Sequence, residues 1–246
     1  MPTNPVSFHR MPIPHLHILQ HVPFEGPGLL ADWAAQRGWT LSVTRLDLGE
    51  HPPDPAIIDL LGVMGGPMGV YDEEIFPWLR TEKEFLRSVI ACGRTVVGIC
   101  LGSQLLAEVL GGRVHRNPEK EIGWMPVDWH PAARTRFPFL PPQQTVFQWH
   151  GDTFTLPPDT ELLASSPACP HQAFLHGQQV LGLQFHLEMT PVGIEALLEH
   201  CAEELVPGPH IQPPAAIRGN PDFFPPIHET CFGLLDRLAG TQAEPA

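Results

Sequence analysis

An open, mostly parallel α/β sheet with helices on both faces and an antiparallel extension is the fold class this sequence predicts, on three observations. Through residue 110, short apolar runs alternate with segments of helical character, the pattern of strands joined by crossover helices. One of those runs, Thr95–Ile99, ends in a cysteine between two glycines and passes directly into good helix-forming residues. Residues 113–190 then change to shorter apolar runs divided by Pro, Gly and Asp turns, which suits strands joined by hairpins.

Taken in order, residues 1–14 hold four prolines and read as an irregular lead-in. His15–Val22 is the first strand, and Gly26-Pro27-Gly28 opens a helix over Leu29–Arg37 that Gly38 stops. Thr40–Leu46 alternates as a second strand, and Ala56–Met64 is a third, ending at Gly65-Gly66. A helix is expected over Phe76–Cys92, with acidic residues just before it that favour its dipole. The later runs are Trp124–Trp129, Thr145–Trp149, Leu162–Ser165, Gln172–Leu175 and Val180–Phe185, with an amphipathic helix expected over Val192–Leu205. Seven prolines mark Pro207–Pro226 as an irregular loop before a short packing helix, Phe232–Leu238. The expected organisation is a lead-in (1–14), one α/β domain (15–205) and a proline-rich segment with a helix packing on that domain (206–246).

Composition narrows the function. A net charge of −13 argues against a general nucleic-acid surface, which needs clustered Lys and Arg. No apolar run approaches the roughly 18 residues of a membrane span, and the first residues lack the basic and apolar regions of a secretory signal. Five widely spaced cysteines without a C-x-x-C pair fit free thiols in a reducing cytoplasm. The fourteen histidines are scattered, and His15 and His17 on the first strand read as structural, so no metal site is expected.

The chemistry-bearing residues lie in two stretches. Cys100 follows a strand and precedes Leu101–Leu110, so it sits on a sharp turn at a helix N-terminus, where the dipole favours a thiolate. A lone buried cysteine is more often packing than chemistry. The second stretch shifts that balance. Val180–Phe185 leads into His186 and Glu188, two residues apart, so imidazole and carboxylate can share one side of an extended chain. A thiol nucleophile, a base and a carboxylate that orients the base form a triad.

Gly98-Ile99-Cys100-Leu101-Gly102-Ser103-Gln104, together with Gln184-Phe185-His186-Leu187-Glu188, resembles the class I (triad) glutamine amidotransferase family. Val63–Val70 is similar to that family's glycine-rich oxyanion loop, and Trp149-His150-Gly151-Asp152 to its His-Gly-Asp segment. The resemblance implies a flavodoxin-like sheet and glutamine amide hydrolysis without a cofactor. Cys100, His186 and Glu188 would be the triad, and Gly65, Gly66 and Leu101 would supply oxyanion donors. Gln104, Trp149 and His150 would contact substrate. One departure is Leu187, where the family commonly has proline between the two triad residues. The implied substrate is glutamine, released ammonia passing to a synthetase partner; the alternatives are another γ-glutamyl compound, hydrolysed or transferred, and a regulatory binding module without turnover. Neither nucleic acid nor membrane is an expected partner.

Overall fold

The computed structural model describes residues 13–219 and 221–241, so most of the lead-in expected over 1–14 lies outside the described residues. In chain order the elements are β1 (His15–Gln20), α1 (Leu29–Gln36), β2 (Thr40–Arg45), β3 (Leu60–Val63), α2 (Trp78–Ala91), β4 (Thr95–Ile99), α3 (Leu101–Val109) and β5 (Val114–Trp129). There follow α4 (Pro131–Arg136), β6 (Gln143–Phe154), β7 (Thr160–Ser165), β8 (Ala173–His176), β9 (Val180–Leu183), α5 (Pro191–His200), α6 (Pro214–Ile217) and α7 (Phe224–Ala239). They build one open sheet in the order β2-β1-β3-β4-β9-β8-β7-β5-β6. The first five strands are parallel. The remaining pairings are antiparallel, so the sheet is mixed.

Alternation along the central strands sends side chains to two apolar layers. Leu19, Leu61, Val63 and Val96 pack with Leu79, Leu86 and Val89 of α2 and with Leu105 and Leu106 of α3. Leu16, Ile18, Val97, Ile99, Leu181 and Leu183 point the other way, against α1, α5 and α7. Across that second layer Asp236 of α7 accepts hydrogen bonds from Trp33 Nε1 of α1 and from Nε and Nη2 of Arg37 at its C-cap, each at 2.8 Å. This clamp fastens the last helix to the first. No helix of the described residues is long and apolar enough to cross a membrane.

Several elements differ from their sequence-based bounds, each for a local reason. The Ala56–Met64 run is a 3-10 turn at Pro55–Ile57, capped by Asp54, and only Leu60–Val63 is strand. Trp124–Trp129 is the second half of the 16-residue β5, whose first half carries exposed charges and so shows no apolar run. The helix expected over Val192–Leu205 ends at His200 and gives way to a 3-10 turn. The helix expected at Phe232–Leu238 begins at Phe224, inside the segment expected to be irregular. Pro225 and Pro226 occupy its first turn, where an N–H has no intrahelical partner and a fixed φ suits the helix. Strand β9 stops at Leu183, so His186 and Glu188 lie on irregular chain beyond it.

In open α/β sheets, ligands gather beyond the carboxyl ends of the strands. Here β1, β3, β4 and β9 run parallel and side by side, and the segments leaving their carboxyl ends carry His21 and Glu25, Gly65 and Gly66, Cys100, and His186 with Glu188.

Candidate active site

Cys100 has φ 51° and ψ −108°, and among the described residues only Asp159 shares a positive φ without being glycine. Such a backbone costs on the order of 1–3 kcal/mol and persists only where the surroundings over-determine it. They do so here. The Cys100 N–H donates to Leu183 O at 2.8 Å, while the Cys100 carbonyl accepts from Ser103 Oγ at 2.7 Å and from Gln104 N at 3.2 Å. The flanking glycines are required by close approach: a Cβ on Gly98 would stand 2.5 Å from Gly102 O, and one on Gly102 would stand 2.2 Å from Val63 O. The sulfur therefore sits at the N-terminus of α3, buried, within 3.5 Å of the Trp149 carbonyl.

His186 and Glu188 meet although the chain carrying them is not a strand. His186 Nδ1 lies 2.7 Å from Glu188 Oε1, and the His186 backbone is pinned by donating to Phe147 O at 2.8 Å. Leu187, the departure from the family pattern, turns into the apolar core and is 1% exposed. The remaining ring nitrogen of His186, Nε2, is buried without a hydrogen-bond partner among the described residues. Burial works against a charged imidazole, yet the Glu188 carboxylate and the Cys100 sulfur outweigh it, and His186 titrates well above its ordinary value. Burial pushes the Cys100 thiol up, against the pull of His186 and of the Leu101 N–H. The two groups are coupled, so a proton that leaves the Cys100 thiol for His186 leaves an imidazolium paired with a thiolate.

The glycine loop is set by a residue that sequence reasoning missed. His21 Nδ1 hydrogen-bonds Gly65 O at 2.9 Å, and its Nε2 pairs with Glu82 Oε1 of α2 at 2.9 Å, both side chains fully buried. A trans peptide places its C=O and N–H on opposite sides. Anchoring Gly65 O on His21 therefore turns the Gly66 N–H away from it, and Gly66 lines the cavity that contains Cys100.

The family profile described as Glutamine amidotransferase class-I matches residues 30–201. The chain belongs to this family. It is 38% identical over 197 residues to the glutamine amidotransferase-like protein YfeJ of Salmonella typhimurium, covering 77% of this chain and 82% of that one. It is 34% identical over 142 residues to the glutamine-hydrolyzing GMP synthase of Lactobacillus acidophilus; the match takes in 56% of this chain but 26% of that longer one. Among solved structures, a glutamine amidotransferase from Thermotoga maritima superposes with a TM-score of 0.84 at 30% identity, covering 92% of this chain and 98% of that one. One from Methylobacillus flagellatus superposes at 0.85 with 28% identity, covering 95% and 97%.

The remaining candidate residues separate into two groups. Gln104 and Trp149 line the cavity of about 190 Å³ around Cys100; Gln104 Nε2 donates to Gln184 Oε1 at 3.2 Å, and Trp149 Nε1 to Glu204 Oε1 at 3.1 Å. Arg116, Lys120, Asp72 and Asp152 also line it, so both signs of charge face the space. Tyr71 donates to Asp152 Oδ2 at 2.7 Å across the mouth. Of these last five only Asp152 carries a sequence signal, as the end of the His-Gly-Asp segment; the chain separates Tyr71 from it by 81 residues. His150 borders the same cavity, but both its ring nitrogens are engaged: Nδ1 with Asp152 O at 2.9 Å and Nε2 with Glu121 Oε2 at 3.2 Å.

His150 belongs to a second Cys-His-Glu group. The ligand atoms of Glu121, His150 and Cys169 lie within 4.8 Å of one another, all buried, the one set among the described residues able to hold a metal ion. Each is already committed. Glu121 also accepts from Gln172 Nε2 at 2.7 Å and Ser166 Oγ at 2.9 Å, and Cys169 Sγ contacts Thr153 Oγ1 at 3.2 Å. Burial pushes the Cys169 thiol up to about 11. His15 and His17 bond to Ser42 Oγ at 2.6 and 2.7 Å, tying β1 to β2 as structural histidines do.

Proposed function

We propose that the protein hydrolyses the side-chain amide of glutamine through a γ-glutamyl thioester on Cys100. One observation carries this reading: a buried thiol on a strained helix-initial turn beside an imidazole whose Nδ1 is held by Glu188 and whose Nε2 is left without a partner. An amide is a poor electrophile, so its cleavage needs an activated nucleophile and donors for the developing oxyanion. His186 takes the thiol proton as sulfur attacks the amide carbon, and the Gly66 and Leu101 N–H groups of the glycine loop and helix terminus receive the oxyanion. Gly65 contributes by the orientation of its peptide. The adduct collapses with cleavage of the C–N bond; nitrogen takes the proton from His186 and leaves as ammonia. Water, deprotonated by His186, then hydrolyses the thioester to glutamate. Glu188 keeps Nδ1 protonated and stabilises the imidazolium.

In this reading Gln104 and Trp149 position the glutamyl chain, and the Arg116 and Lys120 cations, paired with Asp152 and Glu204, offer both signs of charge to an α-amino acid headgroup. His150 acts by holding Trp149 and Asp152 in place. The relation to glutamine-hydrolyzing GMP synthases supports a synthetase partner that receives the ammonia. The five free cysteines support a reducing, cytoplasmic setting. A second reading, hydrolysis of a larger γ-glutamyl compound, is favoured by a cavity of about 290 Å³ bounded by Glu188 and Met189, adjoining the first through Glu25 and Leu197.

Release of ammonia and glutamate from L-glutamine, measured beside a panel of γ-glutamyl dipeptides, tests both. Turnover of glutamine that vanishes in Cys100→Ala supports the first reading, and preference for dipeptides supports the second. Undiminished turnover in Cys100→Ala would sink both.

A further inference from the structure

Glu25 lies on the loop between β1 and α1 and has no role in the mechanism above. Its carboxylate reaches over the glycine loop: a Cβ built on Gly65 would stand 2.1 Å from Glu25 Oε2 and 3.4 Å from His186 Cε1. Carboxylate and imidazole therefore border one small volume. Glu25 lines the cavity around Cys100 and also the adjoining cavity beside Glu188. Among the described residues it has no hydrogen bond and no ion pair, unlike Glu188 and Glu204 close by.

Four groups act on it from the elements around it. His186 and His21 favour its charged form, Glu188 and Glu204 oppose it, and burial opposes it most, so the carboxyl is pushed up to about 7. The Cys100 and Cys201 thiols feel its charge in turn. A carboxylic acid that is still protonated near neutrality, with no protein partner and facing a base, is equipped to give its proton to a ligand.

We propose that Glu25 is a catalytic residue that meets the amine as it leaves Cys100. This rests on the thioester reading above and adds a step to it. When the C–N bond breaks, the electron pair goes to nitrogen, which takes one proton from His186 and departs as a neutral amine. Glu25, in its acid form, then gives its O–H proton to that nitrogen, leaving a carboxylate and an ammonium paired beside the glycine loop. The nitrogen lone pair is now used, so the amine cannot re-attack the thioester. The ammonium departs, to lose its proton again wherever the nitrogen is next used as a nucleophile, and Glu25 regains a proton from solvent. Acylation thereby becomes one-way, and water is left as the acceptor.

The test is partitioning of the γ-glutamyl thioester between water and hydroxylamine, an amine largely unprotonated at neutral pH. In the wild type the hydroxamate-to-glutamate ratio is expected to rise as pH passes through about 7, where Glu25 loses its proton. Glu25→Gln should raise that ratio several-fold at pH 7 and flatten its further rise between pH 7 and pH 8, above the range in which hydroxylamine itself titrates. Glu25→Asp should restore part of the pH dependence, and it serves as the comparison should the glutamine variant fold poorly. A ratio and pH profile identical to wild type in Glu25→Gln, or in Glu25→Asp an unchanged ratio and profile where the first variant fails to fold, overturns the inference while leaving the thioester reading intact. A wild-type protein that yields no hydroxamate from glutamine or any γ-glutamyl donor overturns both.

Discussion

Two regions of this molecule bring together a cysteine, a histidine and a glutamate, and the difference between them lies in hydrogen bonding that is spent or left open. In the Cys169, His150 and Glu121 group every capacity is used. The imidazole engages a carbonyl and a carboxylate, the carboxylate accepts from three side chains, and the sulfur rests on Thr153. In the Cys100, His186 and Glu188 group the imidazole has one nitrogen held and one that is unpartnered among the described residues, as is Glu188 Oε2. Only Cys100 stands on a strained turn at a helix N-terminus. A buried polar group without a partner is costly, so sequences that keep one there have a use for it. The saturated group braces the strand that carries Trp149. The unsaturated one is equipped to react.

That contrast can be broken most severely by removing each sulfur. Cys100→Ala should lower glutamine turnover by at least about 10⁴-fold, as loss of a nucleophile that acts as part of a unit does. Cys169→Ala should leave turnover close to wild type and cost about 1 kcal/mol in a urea denaturation curve. Comparable activity losses in the two variants would erase the distinction. The two carboxylates sharpen it further. Glu188→Gln should reduce kcat about a hundredfold or more through loss of the oriented base, with little change in stability. Glu121→Gln should instead destabilise the fold by about 1–3 kcal/mol, because buried donors lose a charged acceptor.

Thiol labelling examines the same contrast without turnover. In a Cys92→Ser background, which removes the exposed thiol, iodoacetamide at pH 8 should modify Cys100 and leave Cys169, pushed up to about 11 by burial, untouched until the protein is unfolded. His186→Gln should slow Cys100 labelling. Mass mapping that finds Cys169 modified first would reverse the assignment of the two groups.

The smallest effect concerns the brace behind the glycine loop. Burial works against a charged His21, but Glu82 and the Gly65 carbonyl outweigh it, so its folded value is above 6.5. The native state thus holds the proton more tightly than the unfolded one. This stabilisation is complete below about pH 6.5 and is lost as pH rises through the folded value. The gap in urea midpoint between wild type and His21→Gln should therefore narrow from pH 6 toward pH 9. A gap constant across that range would mean that His21 is neutral in the native state.

Much of this was legible in the chain. The elbow could be read because its signal is local: a strand run, Cys100 between glycines, and a helix-forming tail form one continuous segment. His186 and Glu188 were legible for the same reason, being two residues apart. Helix α7 was half hidden, since prolines that suit a first turn look like breakers until the turn is seen. The polar half of β5 was hidden altogether, because its pairing with β6 leaves charged side chains exposed and no apolar run to read. His150 had a local pattern, but its commitment to Glu121 depends on a strand 29 residues away.

What the sequence by itself determined is therefore the order of elements, the turn that strains Cys100 and the family to which the chain belongs. These depend on propensity and on spacings of a few residues, which one stretch of chain carries within itself. Tertiary structure alone decided that His21 orients the Gly65 peptide, that Glu25 stands beside His186 without a partner among the described residues, and that one Cys-His-Glu group is saturated while the other is open. Each of those facts is a distance between residues far apart in the chain, and a hydrogen bond is counted as made or missing only once the sheet has brought its two ends together.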